Sequence, residues 1–465
     1  METLIFKLVE ILGSERVIAD HRIKESYNHI WTMDQPLHGK ALVYPSTTME
    51  VSEIMKICHQ HNQSVMVFGG RTNLVGGTET RGDEVIISME KLNAIEELDS
   101  NSRTITVQAG VILESIHQKV SEDRLMFPLN FGAKGSAQIG GIIASNAGGL
   151  RVFRYGMTRN LVLGLEVVLA DGTIISSLKK LIKDNSGYDL KQMFIGSEGT
   201  LGIITKAVLR LYEAPKSRNS ALVGINKYEQ VVQLLKHMDG GLAGTLSGFE
   251  LMWPSFYKAG TTAPADPKSP LSGDHPYYVL IESLGSHQEQ DRSTMEKLLA
   301  FALEEGYIQD AVLAFTESDF SWFWKIREDV HACVSRCIVD QHFDISLPID
   351  IIGDQLSFMQ EELLKLEGVR EVYIFGHIAD GNIHLIVDKV NTSSSLRESI
   401  NDIVYGPLKA IGGSVSAEHG IGLHKKAYLH LCRSSAEITL MRAMKQQLDP
   451  KGILNKGKIF DVSDG

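Results

Sequence analysis

Residues 128–156 read PLNFGAKGSAQIGGIIASNAGGLRVFRYG, and this stretch decides the fold of the chain. Six glycines fall within residues 132–149, separated mainly by alanine, serine and isoleucine. Glycine is typical of backbone that turns tightly or lies very close to another segment or a ligand. A second stretch, FGGRTNLVGG at residues 68–77, follows an apolar strand and also carries paired glycines. Because successive backbone N–H groups in such loops can bind an anion, the two stretches together favour a long ligand with a diphosphate and a flat ring system.

The composition excludes several classes of protein. The 465 residues include 46 Lys and Arg against 57 Asp and Glu, a formal net charge of −11, whereas nucleic-acid and anionic-membrane surfaces are bound by a basic face. No apolar run approaches the roughly 18 residues of a membrane-spanning helix, and the first residues lack a secretory signal pattern. The four cysteines form no CxxC pair, which indicates reduced thiols. We therefore expect a cytoplasmic protein that binds no nucleic acid and has no transmembrane segment.

The spacing of apolar residues predicts a mixture of helices and strands. Helical patterns cover residues 1–37 and residues 324–339. An Asp-Gly pair between two apolar runs predicts a β-hairpin over residues 163–176, and a second hairpin is predicted over residues 371–388. Together these patterns indicate an α+β fold.

Several common cofactor and catalytic motifs are absent from the sequence. No G-x-G-x-x-G follows a strand, and there is no P-loop, no H-E-x-x-H and no G-x-S-x-G. A Rossmann nicotinamide site therefore lacks its fingerprint. Glycine loops that suit phosphates, without a P-loop lysine, indicate another nucleotide cofactor.

Two histidines in FGHIADGNIHLIV, residues 375–387, have the spacing of a metal-binding pair. If Asp380 and Gly381 form a two-residue turn, His377 lies directly opposite His384, with Cβ atoms about 4.5–5.5 Å apart. Two imidazoles at that separation can bind one divalent ion together. The alternative for such a pair is an ordinary polar sheet face.

A third metal ligand is available in GSVSAEHGIG, residues 413–422, where Glu418 precedes His419. A carboxylate completes a metal site begun by two imidazoles. A histidine with an ordinary pKa near 6.5 can accept a proton at neutral pH. This Glu-His pair in a glycine-flanked loop favours the metal site over the polar sheet face.

The two glycine stretches, together with LGLEVVLADGTI (163–174) and IGSEGTLGIIT (195–205), carry a definite resemblance. They resemble the FAD-binding domain of flavoproteins of the vanillyl-alcohol oxidase type, and most closely the D-2-hydroxy-acid dehydrogenase family, which includes D-2-hydroxyglutarate and D-lactate dehydrogenases and the FAD subunit of glycolate oxidase. The resemblance spans about residues 41–460. Together with the helical pattern of the first residues, which gives an N-terminal helical segment (1–37), it implies a two-lobed FAD-binding domain (38–214), an antiparallel-sheet cap domain (215–413) and a C-terminal segment returning to the flavin (414–465).

The resemblance also implies which residues contact FAD. Where the family has Asn and Gly in the first loop, this chain has Arg71 and Asn73, so we expect Asn73 to take a strained turn or a different one. Neither loop holds a counterpart of the histidine that links flavin covalently in some relatives, which predicts noncovalent FAD. The predicted FAD contacts are Gly69, Gly70, Arg71, Thr72, Asn73, Leu74, Pro128, Gly135, Ser136, Gly140, Gly141, Asn146, Gly148, Gly149, Glu198, Ile203 and Asn455.

The same resemblance assigns roles to the histidine motifs. It implies that His377, His384 and Glu418 hold a divalent metal and that His419 is the catalytic base. The expected metal is Zn²⁺, with Mn²⁺ or Fe²⁺ as alternatives. A metal near the hydroxyl of a 2-hydroxy acid would lower the pKa of that hydroxyl, and FAD would take the hydride from its Cα. The implied activity is an FAD- and metal-dependent oxidation of a D-2-hydroxy acid to the 2-oxo acid.

The substrate carboxylate is assigned to Arg327, because a guanidinium fork binds carboxylates bidentately and the family has its substrate arginine there. The 2-hydroxyglutarate enzymes have a Thr and a Lys where this chain has His331 and His342. We therefore predict a pocket adapted to a monoacid or a shorter diacid. The predicted substrate contacts are Arg327, His331, His342, Asn382, His384 and Glu418.

The sequence leaves two other functions, the electron acceptor and the oligomeric state undecided. One alternative is a flavin oxidase that passes electrons to oxygen, and another is a non-catalytic FAD- and metal-binding subunit of a larger oxidoreductase. For a dehydrogenase, the electron acceptor would be an electron-transfer flavoprotein, a quinone or a cytochrome. A homodimer is compatible with the sequence.

Overall fold

The computed structural model describes residues 2–19, 22–26, 37–265 and 268–461. The chain divides into two compact units, which are described separately. Unit 1 consists of Met1–Gly149, Tyr155–Ala214 and Glu418–Gly465, and unit 2 consists of Leu150–Arg154 and Pro215–Ala417.

One sheet of unit 1 is built around parallel strands. Its order is β1-β2-β4-β3, with β2, β4 and β3 parallel and β1 antiparallel to β2. The central strands are short runs of Val, Ile, Met and Phe, as expected for parallel strands covered on both faces. The strands are β1 (Val17–Ala19), β2 (Ala41–Val43), β3 (Val65–Phe68) and β4 (Val85–Ser88).

The second sheet of unit 1 is antiparallel, in the order β5-β6-β10-β8-β9. The predicted hairpin of residues 163–176 is confirmed, since Val168 pairs with Ile174 and Gly172 takes the left-handed φ of 87° that the turn requires. Strands β7 and β11 form a separate two-stranded antiparallel ribbon. Along the chain, β11 directly follows β10. The strands are β5 (Ile95–Asp99), β6 (Thr104–Gln108), β7 (Leu125–Met126), β8 (Val162–Val168), β9 (Ile174–Ser177), β10 (Ile203–Arg210) and β11 (Tyr212–Glu213).

Unit 2 is built on one seven-stranded antiparallel sheet in the order β15-β12-β14-β13-β17-β18-β16. One face packs against aromatic residues of the helices at 254–261 and 317–334. The strands are β12 (Ser217–Ile225), β13 (Leu246–Met252), β14 (Tyr277–Gly285), β15 (Asp310–Leu313), β16 (Val339–Ser346), β17 (Val369–His377) and β18 (Asn382–Lys389).

The α-helices lie between these strands, and several begin with a side-chain cap. Thr47, for example, accepts a hydrogen bond from the N–H of Glu50 at the start of α3. The helices are α1 (Glu2–Leu12), α2 (Ile23–Ser26), α3 (Thr48–Gln60), α4 (Leu113–Ser121), α5 (Ile139–Ser145), α6 (Val152–Tyr155), α7 (Thr158–Leu161), α8 (Lys191–Phe194), α9 (Tyr228–Leu242), α10 (Pro254–Thr261), α11 (Gln288–Glu304), α12 (Glu317–Glu328), α13 (Val330–Val334), α14 (Ile352–Lys365), α15 (Ser394–Tyr405), α16 (Leu408–Ile411) and α17 (Ser435–Leu448).

None of these helices, within the part of the chain that the structure describes, is both long enough and apolar enough to cross a membrane.

Two of the predicted helices are wrong in part. Within 1–37, residues 17–19 form β1, because their apolar side chains complete the edge of the parallel sheet by pairing with β2. Residues 27–36 lie outside the described part of the chain. The helix predicted over 324–339 ends at Glu328. Asp329 then caps the short α13 by accepting from the N–H of Ala332, and Val339 already belongs to a strand.

An ion pair is buried where α17 ends in unit 1. The Lys445 ammonium donates to the carboxylate of Asp449 and to the carbonyl oxygens of Thr200, at 2.7 Å, and Leu454, at 2.9 Å. Asp449 also accepts from the N–H groups of Ile453 and Leu454, at 3.0 and 2.8 Å. Because both side chains are almost fully buried, neither charge has water as an alternative partner.

Replacing Asp449→Ala should lower the free energy of unfolding by about 3–5 kcal/mol, since it leaves the Lys445 charge buried without its counter-ion. The urea midpoint of the purified protein would measure the loss. Arg433→Ala is the control, because it removes an exposed ion pair with Glu437 of the same helix and should leave the midpoint near that of the wild type. Equal midpoints for the two variants would contradict the prediction.

Candidate functional site

The two glycine loops of unit 1 lie against each other, and two of their glycines are required by close packing. A Cβ on Gly70 would lie 2.1 Å from the carbonyl oxygen of Ser136, so only glycine allows the loops to approach this closely. A Cβ on Gly140 would lie 2.8 Å from the Cβ of Ala109, where α5 begins against the end of β6. These two glycines therefore shape the loops themselves.

A neighbouring glycine faces open space. Nothing lies within 4 Å of a Cβ built on Gly141, and Gly135 and Ser136 in the adjoining turn are exposed. The side-chain oxygen of Gln138 is buried and has no hydrogen-bond partner among the described residues. An open cradle of small residues beside an unsatisfied buried polar atom fits a bound group with hydrogen-bond donors, as FAD has.

The first loop differs from the expectation for its non-glycine residues. Arg71, and not Asn73, takes the left-handed backbone, with φ of 56°. Asn73 instead closes the loop: its side-chain oxygen accepts from the N–H of Gly77 at 2.7 Å, and its amide donates to Thr78 at 2.8 Å. Of the two expected outcomes, a strained turn at Asn73 is therefore wrong, because the asparagine stabilises a different turn through its side chain.

Two predicted FAD contacts hold other parts of unit 1 together. The carboxylate of Glu198 accepts from the N–H groups of Ile421 and Gly422, at 2.7 and 2.8 Å. Burial raises the pKa of Glu198 above its ordinary value, although these two hydrogen bonds oppose the effect. Asn455 accepts from the N–H of Val67 at 3.1 Å and donates to the carbonyl of Glu198 at 2.7 Å. Their side chains thus join β3, the 198 turn and the C-terminal segment.

The other predicted FAD contacts lie in unit 1 as well. Asn146 ends α5 with φ of 50° and accepts from the N–H of Arg159. A Cβ on Gly149 would lie 2.3 Å from the carbonyl oxygen of Asn130. Ile203 starts β10 and its side chain is part of the core. Gly69, Thr72 and Leu74 are half-buried, whereas Pro128 and Gly148 are buried.

In unit 2, the pairing register brings polar side chains together on one face of the seven-stranded sheet. His377 pairs with Glu250 on one side and with Asn382 on the other. The next row contains His384, which pairs with Phe375 on one side and with Asp344 on the other. Directly opposite residues point to the same face, and so do residues two apart along a strand. Glu250, His377, Asn382, His384 and Asp344 therefore share a face.

The predicted hairpin has a longer turn than expected. Residues 378–381 connect β17 to β18, with a 3₁₀ turn at Ile378–Asp380 and Gly381 at φ of 78°. His377 consequently pairs with Asn382, and the predicted direct pairing of His377 with His384 is wrong. The slip equals two residues, which leaves each side chain on the same face. The two imidazole rings are still neighbours, with centroids 5.6 Å apart.

The Glu250 side chain contacts both His377 and Arg327. One carboxylate oxygen lies 2.7 Å from His377 Nδ1, and the other lies 2.7 Å from a terminal guanidinium nitrogen of Arg327. All three side chains are at least nine-tenths buried. Burial raises the pKa of Glu250, but His377 and Arg327 lower it more, so that the carboxylate is held below its ordinary value.

Arg327 is not fully satisfied by this ion pair. Its Nε and the nitrogen nearest Glu250 make no hydrogen bond of good geometry with the described residues, although the side chain is only 4% exposed. The guanidinium carbon lies 4.8 Å from the centre of the Phe375 ring. A buried guanidinium with unused donors is a suitable partner for a small carboxylate.

Asp344 fixes the orientation of Asn382. The Asn382 amide donates to Asp344 at 2.8 Å and to the carbonyl of Ile345 at 3.3 Å. Both partners are acceptors, so the NH₂ group must face them and the side-chain oxygen points away. That oxygen is buried without a hydrogen-bond partner among the described residues. Asn382 therefore offers an acceptor to a ligand that can donate, such as a hydroxyl group.

The two histidines that replace family residues have different surroundings. His342 lies on β16, two positions from Asp344 and on the same face, and its Nε2 is 2.6 Å from the carboxylate of Asp340. This contact lowers the pKa of Asp340. His331 lies on α13 and is exposed.

Glu418 and His419 follow Ala417 directly in the chain. The N–H of Ala417 donates to Asp344 at 3.1 Å, and the hydroxyl of Ser416 donates to it at 3.2 Å, which anchors the end of unit 2. Of the predicted metal ligands, His377 and His384 lie in unit 2, whereas Glu418 begins the last segment of unit 1. Binding of one metal ion by these three side chains together stays a prediction.

Sequence reasoning missed Glu250 and Asp344. Each is an acidic residue with an apolar neighbour on either side in its strand, in LSGFELM and in the segment HFDIS. Such a residue is costly to bury unless it is paired. This pattern was the signal in the sequence that could have identified the two residues. It does not by itself indicate a site, because Glu282 in YYVLIESLG shows a similar pattern away from the histidines.

The comparisons with known proteins define the class. The family described as "FAD binding domain" matches residues 39–177, and the family described as "FAD linked oxidases, C-terminal domain" matches residues 214–459. The solved structure of p-cresol methylhydroxylase with substrate bound has a TM-score of 0.76, covering 100% of this chain and 98% of that protein at 16% identity. The fold is the predicted one of vanillyl-alcohol oxidase-type flavoproteins.

Two relatives in sequence then give the family. The chain is 39% identical to the mitochondrial D-2-hydroxyglutarate dehydrogenase of Bos taurus, over 96% of this chain and 81% of the relative. It is 34% identical to a D-2-hydroxyglutarate–pyruvate transhydrogenase of Saccharomyces cerevisiae, over 96% of this chain and 92% of the relative. The chain belongs to the family of FAD-linked dehydrogenases that contains these proteins, and it is an FAD-dependent oxidoreductase, as the resemblance predicted.

The substitution Gly141→Val should give a folded protein that has lost most of its FAD, because a side chain would fill the open space above α5. We expect the flavin-to-protein absorbance ratio of the purified protein to fall at least about 10-fold, which corresponds to a loss of about 1.4 kcal/mol in FAD binding. Gly240→Val is the matched control, since Gly240 is also a helical glycine facing open space. Full FAD content in Gly141→Val would show that the cofactor lies elsewhere.

Proposed function

We propose that this protein oxidises a D-2-hydroxy acid to the corresponding 2-oxo acid, with FAD as the electron acceptor and with a divalent metal at the histidine hairpin. The observation that carries the proposal is a pair of unsatisfied buried groups, one on helix α12 and one on the polar sheet face. Arg327 has unused buried donors and Asn382 has an unused buried acceptor among the described residues. A 2-hydroxy acid offers the complementary groups, a carboxylate for the guanidinium and a hydroxyl for the amide oxygen.

Different side chains bind the substrate and accept the proton of its hydroxyl group. Arg327 binds the substrate carboxylate and thereby orients the adjacent Cα, since an anchored carboxylate leaves one bond of rotation before the reacting carbon. Asn382 accepts the hydrogen bond of the hydroxyl until the proton leaves. His419 takes that proton as the general base. Loss of the hydroxyl proton and of the Cα hydrogen with its electron pair gives the 2-oxo acid, and bound FAD supplies the acceptor for the hydride.

The predicted metal ligands match a known type of catalytic site. Two imidazole nitrogens and one carboxylate, with a fourth position open, are typical donors to catalytic zinc. We therefore propose Zn²⁺ ahead of Mn²⁺ or Fe²⁺ at His377, His384 and Glu418. A metal at this place would lower the pKa of the substrate hydroxyl.

FAD is proposed to be bound noncovalently. The loops 68–77 and 128–156 contain no histidine or cysteine that could form a covalent link to the flavin. The open space at Gly141 and the unsatisfied oxygen of Gln138 instead support binding through close packing and hydrogen bonds. Acid precipitation should therefore release the flavin into the supernatant.

The charge around His342 supports a small substrate. The carboxylate of Asp340 lies 2.6 Å from this imidazole, so any positive charge there is already compensated. A second substrate carboxylate would meet Asp340 as well as His342, and like charges repel. We propose that a monoacid or a short diacid is preferred over 2-hydroxyglutarate, which appears in the names of the relatives.

The activity can be tested by anaerobic titration of the purified flavoprotein with D-lactate, D-malate, D-2-hydroxyglutarate and D-mandelate. We expect at least one of them to bleach the flavin absorbance near-stoichiometrically, and its L-enantiomer to do so far more slowly. Removing metal with a chelator should abolish bleaching while FAD stays bound, because their predicted ligands lie on separate segments. A flavin that none of the acids reduces would contradict the proposal, and peroxide formed in air would identify an oxidase.

The substitution His342→Lys should shift the preference toward diacids by restoring a permanent cation. We expect kcat/KM for D-2-hydroxyglutarate relative to D-lactate to rise about 10-fold or more, the scale of one charged contact in a pocket. Asp340→Asn should act in the same direction by removing the repelling carboxylate. His287→Lys, which adds the same charge at an exposed position of unit 2, is the control. An unchanged ratio in both pocket variants would disprove this interpretation.

A further inference from the structure

Glu250 is the one acidic residue in strand β13, LSGFELM, and it is 1% exposed. Its neighbours in the sheet are β14 and β17, so its backbone is hydrogen-bonded on both sides. Each of its two oxygens has a different partner: His377 Nδ1 for one and a terminal nitrogen of Arg327 for the other, both at 2.7 Å. One rigidly placed carboxylate thus contacts a predicted metal ligand and the predicted substrate-binding arginine.

We propose that Glu250 is a positioning residue that sets the metal ligand His377 and the carboxylate-binding Arg327 in a fixed relation to each other. The inference rests on the proposed function and assigns to this function a residue that touches neither substrate nor metal. It predicts that metal affinity and substrate affinity depend on the same buried side chain.

The contact with His377 selects which ring nitrogen is available to a metal. An ionised carboxylate only accepts hydrogen bonds, so Nδ1 of His377 must carry the proton that it donates to Glu250. Nε2 is then left with its lone pair as the ligand atom. Carboxylates in this position hold the ring of a metal-bound histidine in place and increase its basicity.

The contact with Arg327 leaves part of the guanidinium for the substrate. Glu250 engages one terminal nitrogen, and Nε has no hydrogen-bond partner among the described residues. The carboxylate also compensates the charge of an arginine that is only 4% exposed. Without it, the guanidinium would lose the partner that holds its plane over the Phe375 ring, 4.8 Å away.

A glutamine at this position cannot suit both partners, because His377 Nδ1 and the Arg327 guanidinium both present N–H groups to it. If the amide oxygen faces His377, the amide NH₂ faces the guanidinium of Arg327, and two donors oppose each other. If the amide is reversed, the NH₂ faces the Nδ1 proton of His377. The change Glu250→Gln therefore keeps the shape of the side chain and breaks one of the two contacts.

The chain offers a matched control in Glu282 on the adjacent strand β14. Its side chain is fully buried, and its two oxygens accept from Arg151 at 3.2 Å, Arg218 at 2.9 Å and the Trp324 indole at 3.0 Å. Glu282→Gln also places an amide among donors inside the same sheet. It touches none of the predicted metal or substrate residues, so it measures the cost of losing a buried carboxylate alone.

The experiment compares Glu250→Gln, Glu250→Asp and Glu282→Gln with the wild type in the FAD-loaded form. Zn²⁺ affinity is measured by competition with a chromophoric chelator, and kcat and KM are measured with the best acid from the anaerobic titration. We expect both Glu250 variants to bind Zn²⁺ about 10–100-fold more weakly, the range for losing such a partner. KM should rise about 10-fold or more in the same variants, while FAD content stays unchanged. Glu282→Gln should lower thermal stability and leave Zn²⁺ affinity and KM near wild-type values.

The outcomes separate this inference from the proposed function. Wild-type turnover combined with unchanged Zn²⁺ affinity and KM in both Glu250 variants would overturn the role of Glu250 and leave the proposed function standing. A wild type that binds Zn²⁺ but oxidises none of the acids would overturn the proposed function, and a loss of Zn²⁺ in Glu250→Gln would then still support the positioning role. If Glu250→Gln does not fold, Glu250→Asp decides, because it keeps the charge but is one CH₂ too short to reach both partners. Equal losses of metal in Glu282→Gln would also overturn the inference, since they would show a general effect on the sheet.

Discussion

The polar face of unit 2 depends on the pairing register of four adjacent antiparallel strands, β13, β17, β18 and β16. The register puts Glu250, His377 and Asn382 in one row and His384 with Asp344 in the next. A slip of one residue in any strand would turn its polar side chains to the opposite face. The apolar residues that alternate with them prevent this slip, because they would lose their place in the core. The arrangement of charges is thus fixed by hydrophobic burial.

Buried carboxylates recur in both units, and each has at least two donors. Glu282 is paired with two arginines, Asp449 with Lys445 and two backbone N–H groups, and Glu198 with two backbone N–H groups. The cost of removing a carboxylate from water is met in each case by local hydrogen bonds. Glu250 is different because its partners have further tasks in the proposed reaction. Arg327 retains unused donors among the described residues, so that the pair is incomplete without a ligand.

The sequence predicted the class of fold, the family and the location of the histidine motifs, because these depend on local patterns. The glycine loops, the Asp-Gly hairpin and the shared face of His377 and His384 all follow from spacing over fewer than about 30 residues. The pairing of the two histidines was wrong because a four-residue turn replaced the two-residue turn, which spacing alone does not distinguish. Glu250 could not be assigned to His377 or Arg327, since the sequence does not show which distant strands are neighbours.

The positions of Glu418 and His419 follow from how the backbone is held on either side of them. In unit 2, Asp344 accepts from the N–H of Ala417, immediately before them. In unit 1, Glu198 accepts from the N–H groups of Ile421 and Gly422, shortly after them. Each end of this short segment is therefore fixed by a buried carboxylate through backbone hydrogen bonds. These backbone hydrogen bonds restrict the motion of residues 417–422, the segment that carries Glu418 and His419 of the proposed chemistry, as preorganisation of a reactive site requires.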